Sequence, residues 1–287
     1  MKIHAYVLAG DPAWLRTSLL SYYAVVDKIV VAYDRQNLGW TGVPIPVEEC
    51  VEICRSMDPE GKMEFLAGHY AKCDPQPLQC ETIQRRQALE IAQEGADWVL
   101  QFDTDEVMAD PACFLSCLKE ADAGGYDSLD FPSRYLFCAL PNHRYLERAG
   151  RLWTPRASYP GSLAIKSGTP LRLARQTKSS LFRVDFRARN TDPFRGAHVP
   201  VHRVISPDQG VLHFSWVRSH DYLKRKFASW GHANDRPDGW NSEYLKWMWA
   251  EKHPALALLK TPFSPRQERF RRVYLPPLPH VKAVWGE

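Results

Sequence analysis

The chain has 287 residues, of which 45% are hydrophobic and 24% are charged, an ordinary composition for a globular protein. No stretch approaches the roughly 20 consecutive apolar residues that a membrane span needs. The apolar segment at 3–8 is too short and too strand-like for a signal peptide. We therefore expect a cytoplasmic protein with one large α/β domain, or with one domain and part of a second.

Charge is distributed unevenly along the chain. Residues 1–142 carry 11 Lys and Arg against 22 Asp and Glu, a net charge of −11, whereas residues 143–287 carry 26 against 11, a net charge of +15. The basic half suggests an anionic partner, such as a phosphorylated or carboxylated molecule, or peripheral contact with an acidic membrane surface. Nucleic acid is an alternative that charge alone leaves open, and we do not expect it.

The first residues predict the opening of a parallel nucleotide-binding sheet. Residues 2–11 indicate a strand that ends in a Gly-Asp turn, a helix follows, and a second strand over 27–34 ends in an acid. The apolar face of the helix comprises Trp14, Leu15, Leu19 and Leu20. Strand, helix and strand in so few residues are typical of an α/β protein.

Three further elements lead to the most informative stretch. We predict a helix over 47–57, a short strand over 62–66 and a second helix over 81–95 with Thr82 as its N-cap. The apolar face of the second helix comprises Ile83, Ala88, Leu89, Ile91 and Ala92. Residues 98–102 are then a short, uncharged, β-prone run, which indicates a buried strand.

Three carboxylates follow this strand within four residues. Asp103, Asp105 and Glu106 repel one another, and a chain that places them at the tip of a strand usually has a cation there. Mg²⁺ and Mn²⁺ prefer oxygen ligands and keep coordination positions open for phosphate oxygens. A solvated acidic turn is the alternative interpretation of the same residues.

The helix, the strand and the acids together show the pattern QRxxAL…A…ADWVLxxDxDE, which resembles the GT-A glycosyltransferases, in particular those of family 2 type. The resemblance implies a GT-A (Rossmann-like) α/β fold, in which helices flank a mixed, mostly parallel central sheet, here followed by a C-terminal helical or extended appendage. In that family the Asp-x-Asp element binds a divalent metal on the diphosphate of a nucleotide sugar. By position, Asp103 and Asp105 would hold Mn²⁺ or Mg²⁺ and the donor, and Arg85 would lie near the donor pocket.

The same resemblance assigns roles to residues of the first two strands. In the family, the turn after the first strand contacts the nucleoside, and an acid at the end of the second strand holds the base or the ribose. Ala9, Asp11 and Asp34 inherit these donor-binding roles. Taken singly, Asp34 is better interpreted as a turn residue, and it is the order of the elements that favours the binding role.

A second signal lies at 210–219, where an apolar strand is followed by Ser219 as the N-cap of a helix over 221–232. This segment and its Lys-rich helix resemble the GT-A segment that supplies a third metal ligand, which would be His213. Lys226 lies between apolar positions of the helix and is expected to reach the donor diphosphate. A satisfied core histidine and a solvated lysine are the alternatives.

The segment from 140 to 203 changes to Pro, Arg and aromatic residues, and in the family this is where acceptor recognition varies. Residues 171–175 and 201–203 resemble the RLxRR…VHE stretch of some lipopolysaccharide-type members. The chain has Arg203 where those members carry a Glu, so the usual carboxylate base is in doubt. Inverting transfer needs a base for the acceptor hydroxyl, and we predict Asp192 in that role with His202 behind it. Further candidates are Asp185, Asp208 and His198. A retaining mechanism would need no such base.

These elements suggest three parts. Residues 1–135 form the nucleotide-sugar-binding half, residues 136–235 form the acceptor-binding half that completes the GT-A domain, and residues 236–287 form a C-terminal helix and a basic, Pro-rich tail. The helix is predicted over 243–252. The tail contains Arg266, Arg269, Arg271, Arg272 and the run Pro-Pro-Leu-Pro at 276–279.

The sequence thus predicts a metal-dependent glycosyltransferase that moves a hexose or related sugar from a nucleotide sugar to an acceptor hydroxyl. One alternative is a haloacid-dehalogenase-like, Mg²⁺-dependent phosphatase with Asp103 as nucleophile and Asp105 as acid and base, although that motif normally opens its fold. The other alternative is a non-catalytic module that binds nucleotide sugars. The donor, the acceptor and the oligomeric state are not specified by the sequence.

Overall fold

The computed structural model describes residues 1–194, 198–259 and 269–276, which form thirteen strands and seven helices. The strands are β1 (Ile3–Leu8), β2 (Lys28–Asp34), β3 (Met63–Gly68), β4 (Trp98–Gln101), β5 (Glu106–Met108), β6 (Ser128–Asp130), β7 (Ser133–Leu140), β8 (Arg144–Ala149), β9 (Ala164–Lys166), β10 (Leu181–Asp185), β11 (Arg203–Val204), β12 (Val211–His213) and β13 (Arg269–Tyr274). The helices are α1 (Leu15–Tyr22), α2 (Val47–Ser56), α3 (Pro77–Ala92), α4 (Pro111–Ala123), α5 (His220–Ser229), α6 (Asn241–Lys252) and α7 (Pro254–Leu259).

The larger sheet has eight strands in the order β11-β10-β6-β9-β4-β1-β2-β3. Strand β1 pairs in parallel with β2 and with β4, and the pairs β2–β3, β6–β10 and β10–β11 are parallel as well. Strand β9 runs antiparallel to both of its neighbours, β4 and β6. This mixed, mostly parallel α/β sheet confirms the predicted fold class. Since β1, β2 and β4 are parallel, their carboxyl ends lie at one edge.

Helices cover both faces of this sheet. On one face, Ala5 and Val7 of β1 pack with Leu19 of α1 in the largest apolar cluster. On the other face, Tyr6 of the same strand packs in a second cluster with Ala88 of α3. Strands that are buried on both faces are typical of parallel α/β sheets, and this packing fixes where α3 stands relative to the sheet edge.

A second, five-stranded sheet has the order β13-β8-β7-β12-β5. Helix α6 packs on it, and the Nε1 of Trp247 donates a hydrogen bond of 2.9 Å to the carbonyl oxygen of Phe137 in β7. The basic tail contributes β13, which pairs antiparallel with β8. Arg266 and residues 277–279 lie outside the described residues. The division into three parts remains a prediction.

Some local predictions were wrong. Helix α3 begins at Pro77, four residues before the predicted start, so Thr82 lies inside it and its hydroxyl donates to the Leu78 carbonyl at 2.7 Å. Leu20 and Ile83, both predicted on apolar faces, are 41% and 36% exposed. Among the described residues, we find no helix with the length and apolar character needed to cross a bilayer.

Candidate functional site

A cavity of about 250 Å³ lies at the carboxyl edge of the larger sheet, where ligands bind in open α/β folds. The turn after β1, the loop after β2 and the acidic turn after β4 form its floor, and α3 and α5 form its walls. Seven of the predicted donor and metal residues line it: Ala9, Asp11, Asp34, Arg85, Asp103, Asp105 and Lys226. His213, the eighth, lines it from β12.

Asp103 follows the end of β4 and is held by two arginines. Its Oδ1 accepts a hydrogen bond of 2.7 Å from Nη2 of Arg85 on α3, and its Oδ2 lies 3.8 Å from Nη2 of Arg175. Burial would raise the pKa of the carboxyl, but the charges of Arg175 and Arg85 lower it to about 2. Asp103 is therefore ionised at neutral pH, with Oδ2 the less engaged oxygen.

Asp105 is buried, and both of its carboxylate oxygens have partners. Oδ2 accepts from Nζ of Lys226 at 2.7 Å and from Nη2 of Arg218 at 2.9 Å. Oδ1 lies 3.2 Å from Nε2 of His213. Burial would raise the pKa of Asp105, yet Lys226 and His213 hold it well below its usual range.

Glu106 completes the acidic turn and is fully buried. The guanidinium of Arg175 binds it in a bidentate manner, with Nη1 donating to Oε2 at 2.6 Å and Nη2 to Oε1 at 2.5 Å. Gly161 lets Arg175 reach this position, because a Cβ at residue 161 would lie 2.5 Å from Cγ of Arg175. The ion pair between Glu106 and Arg175 thus stabilises the acidic turn.

Asp11 and Arg218 connect the first turn of the sheet to the acidic turn. Nη2 of Arg218 lies 2.7 Å from Oδ2 of Asp11 and 2.9 Å from Oδ2 of Asp105. The other oxygen of Asp11, Oδ1, accepts from the Ala13 amide at 3.0 Å. Asp11 is therefore engaged in holding the floor of the cavity together.

Asp34 lines the cavity but uses its carboxylate on the backbone. Oδ1 accepts from the amides of Gln36 at 2.9 Å and Leu38 at 3.3 Å, and Oδ2 accepts from those of Tyr70 at 2.7 Å and Ala71 at 3.3 Å. These bonds shape two loops at the rim. These contacts agree with the interpretation of Asp34 as a turn residue.

The unfilled hydrogen-bonding capacity around the cavity consists largely of donors. Within the described ranges, Nη1 of Arg85, Nε1 of Trp230 and Nδ1 of His213 are buried without a hydrogen-bond partner, and all three residues line the cavity. Arg225 also lines it, stacks its guanidinium 4.9 Å from the Tyr222 ring centroid, and forms no ion pair with a described acid. Such donors suit a ligand rich in acceptor oxygens.

The predicted metal ligands meet, but their arrangement does not fit a divalent ion. Both oxygens of Asp105 and one oxygen of Asp103 are bound by cationic side chains or His213. In the part of the chain that the structure describes, no group of three or more His, Cys, Asp or Glu is placed to hold a metal ion. The metal was predicted because the three acids repel one another. In the structure, this repulsion is relieved by four basic side chains: Arg85, Arg175, Arg218 and Lys226. The divalent metal remains a prediction from the sequence.

The two residues predicted as catalytic lie away from the cavity. Asp192 is buried in the loop after β10, where its Oδ1 accepts from the Phe194 amide at 2.9 Å. The exposed His202 accepts from the Arg183 amide through Nδ1 at 2.9 Å and stacks on Phe182 with ring centroids 5.0 Å apart. Neither residue lines the cavity, so the structure does not place them with the other site residues.

Arg175 and Arg218 were not among the site residues predicted from the sequence. Each is 2% exposed or less and joins two acids of the site. Arg218 lies in the segment 210–219 that resembles the GT-A segment around His213, and it is the basic residue of that segment, so the sequence contained a signal for it. Arg175 follows a residue with positive φ, Ala174, and sits in an irregular segment, where no periodicity indicates which side chains point inward.

Comparison with known proteins gives limited similarity. No family model and no curated protein matches the chain. Among solved structures, 4-diphosphocytidyl-2C-methyl-D-erythritol synthase from Anaerococcus prevotii is 11% identical, with a TM-score of 0.35 over 58% of this chain and 70% of that one. Mannose-6-phosphate isomerase from Helicobacter pylori is 13% identical, with a TM-score of 0.28 over 53% and 57%. A197 from STIV is 13% identical, with a TM-score of 0.33 over 77% and 96%. At such TM-scores we draw no functional conclusion from these structures.

Proposed function

We propose that this chain is a glycosyltransferase that binds a nucleotide diphosphate sugar in the cavity and transfers the sugar to an acceptor hydroxyl. The observation that carries the proposal is the convergence of Asp103 and Asp105 with Arg85 and Lys226 at the carboxyl edge of β4. These residues come from three separate elements. They give a cavity lined by fixed carboxylates and by cations with unfilled donors, the complement of a molecule that carries both hydroxyl and phosphate groups.

The nucleoside would lie between the turn after β1 and the loop after β2. Trp40 lines this end of the cavity, and its Nε1 donates to Oε1 of Gln84 at 2.8 Å, which fixes the orientation of the indole. A nucleobase stacked on such a ring would gain about 1–3 kcal/mol. Oδ2 of Asp103 is available to accept from a sugar hydroxyl.

The diphosphate would lie against α5. Ser219 caps this helix by accepting from the Tyr222 amide, and the helix presents Arg225 and Lys226 to the cavity. Transfer breaks the bond between the anomeric carbon and the phosphate oxygen, so negative charge builds on the leaving diphosphate. Positioned cations stabilise that charge in the transition state.

The proposal is tested with a thermal-shift panel of UDP-, GDP- and dTDP-sugars, each with and without Mn²⁺, and with a CMP-sugar, which has only one phosphate, as a comparison. We expect one nucleotide class to raise the melting temperature, because a ligand that binds the native state stabilises it. Asp105→Asn should weaken the shift, because the neutral amide no longer holds Lys226 and Arg218 in place. Asp221→Asn, which changes an exposed acid on α5, is the matched control. A panel without any shift would contradict the proposal.

Product analysis separates the alternatives. A transferase releases nucleoside diphosphate slowly in the absence of acceptor, by transfer of the sugar to water. A binding module would give the thermal shift and release nothing, and a phosphatase would instead release inorganic phosphate from a phosphomonoester. The Arg85 contact to Asp103 engages one oxygen of the group that a phosphatase would use as its nucleophile.

A further inference from the structure

We propose that the ammonium of Lys226 occupies the place of a divalent ion, so that the cavity binds the diphosphate without a resident metal. This inference rests on the proposed function and concerns how that site holds its donor. It differs from the expectation that the GT-A resemblance gave.

Lys226 binds Asp105, one of the residues predicted as a metal ligand. Its Nζ donates to Oδ2 of Asp105 at 2.7 Å and to Oγ of Ser215 at 2.8 Å. An ammonium has three donors, so one N–H remains for a ligand. Because the side chain is 16% exposed and lines the cavity, that remaining donor can reach a phosphate oxygen while the contact to Asp105 is kept.

A divalent ion at Asp105 would have to displace these contacts. Oδ2 holds both Lys226 and Arg218, and Oδ1 lies beside His213. A metal there would come close to an ammonium and a guanidinium, both positively charged and both little exposed. Coulomb repulsion at such distances in a poorly solvated site opposes binding of the ion.

The atoms without partners point to the same conclusion. A metal site needs several oxygens or nitrogens with free lone pairs. Among the described residues, Nη1 of Arg85 and Nε1 of Trp230 are donors without acceptors, and Nδ1 of His213, which also lacks a hydrogen-bond partner, is a single nitrogen that lies 3.9 Å from Oε1 of Glu106. Arg225, next to Lys226 in α5, adds a guanidinium without a described acidic partner. A phosphate group brings acceptor oxygens that these donors lack, and a planar guanidinium can bind two of them.

The test measures binding and needs no turnover. UDP, GDP, CDP and dTDP are titrated by calorimetry into the wild-type chain, once in EDTA and once with Mn²⁺. We expect the nucleotide that binds to do so in EDTA, with a Kd within about twofold of the value in Mn²⁺. In electron paramagnetic resonance, the signal of free Mn²⁺ should be unchanged by the protein.

Substitutions locate the interaction. Lys226→Met should weaken binding of that nucleotide in EDTA by roughly 10- to 100-fold, the loss expected for a hydrogen bond to a charged group. Lys226→Arg should retain most of the affinity, because it keeps the positive charge. Lys224→Met is the matched control, since Lys224 is exposed on the same helix and does not line the cavity.

The outcomes distinguish this inference from the proposed function. Binding that appears only with Mn²⁺, or a Lys226→Met variant that binds as tightly as the wild type, would overturn the inference and leave the proposed function standing. If no nucleoside diphosphate binds in either buffer, the proposed function fails as well. Because the comparison of EDTA with Mn²⁺ uses the wild-type chain, it does not depend on the folding of a variant.

Discussion

Arg218 and Asp105 form an ion pair with Nη2 and Oδ2 2.9 Å apart, and the two residues are 1% and 4% exposed. The same Nη2 lies 2.7 Å from Oδ2 of Asp11. This guanidinium therefore joins the turn after β1 to the turn after β4, two segments that are distant in the chain. The floor of the cavity is assembled through this contact.

Removing Arg218 should destabilise the protein substantially. Arg218→Met leaves Asp11 without its guanidinium and Asp105 with one cation fewer, and breaking a buried ion pair typically costs about 3–5 kcal/mol. Urea denaturation measures the change in the free energy of unfolding. Arg225→Met serves as the control, because an exposed substitution usually changes stability by about 0.5 kcal/mol or less. Equal stability of the two variants would show that the pair does not hold the site.

Asp103 should make stability depend on pH in the acidic range. Its pKa is lowered to about 2 in the folded protein, so its contribution is fully present above the unfolded value near 4 and is lost as pH falls toward about 2. The urea midpoint of the wild type should fall over this window. In Asp103→Asn the fall should be shallower, and parallel curves for the two proteins would refute the prediction.

Trp40 should contribute to nucleotide binding through the base. Trp40→Ala removes a ring that lines the cavity, and loss of base stacking should weaken binding of the preferred nucleotide by roughly 5- to 150-fold. Trp153→Ala is a suitable control, because Trp153 is 45% exposed and lies outside the cavity. The comparison is made by calorimetry with nucleoside diphosphate and with inorganic pyrophosphate. Only the nucleotide should lose affinity.

Substitutions of Asp192 and His202 test whether nucleotide binding and release depend on the cavity alone. Since neither residue lines it, Asp192→Asn and His202→Ala should leave nucleotide affinity within about twofold of the wild type. Release of nucleoside diphosphate from the donor should be similarly unaffected. A loss of release with unchanged affinity in Asp192→Asn would instead restore this residue as the base predicted from the sequence.

The sequence predicted the central sheet well because strands buried on both faces appear as short apolar runs, and helices buried on one face show apolar residues at the helical period. Residues 98–102 and the acids that follow them were predicted to meet at a sheet edge, and Asp103 and Asp105 do lie at the carboxyl end of β4. Helix boundaries were less certain. Helix α3 starts at Pro77 and not at the predicted residue 81, because proline is well suited to the first position of a helix.

The ion pairs of the site could not be predicted in the same way. The acids indicated a counter-cation, but local sequence does not show that Arg175, 69 residues beyond Glu106, binds it in a bidentate manner. Such contacts depend on tertiary packing of irregular segments. For Asp34, the sequence indicated a turn residue as one of two interpretations, but it did not show that the carboxylate accepts from the backbone amides of two loops.

The most direct test of the proposed nucleotide site is a crystal structure of the wild-type chain with the nucleoside diphosphate that binds best, grown in EDTA. We predict the diphosphate within hydrogen-bonding distance of Nζ of Lys226, and the base beside Trp40. A nucleotide bound elsewhere, with the cavity at Asp103 and Asp105 unfilled, would contradict this account.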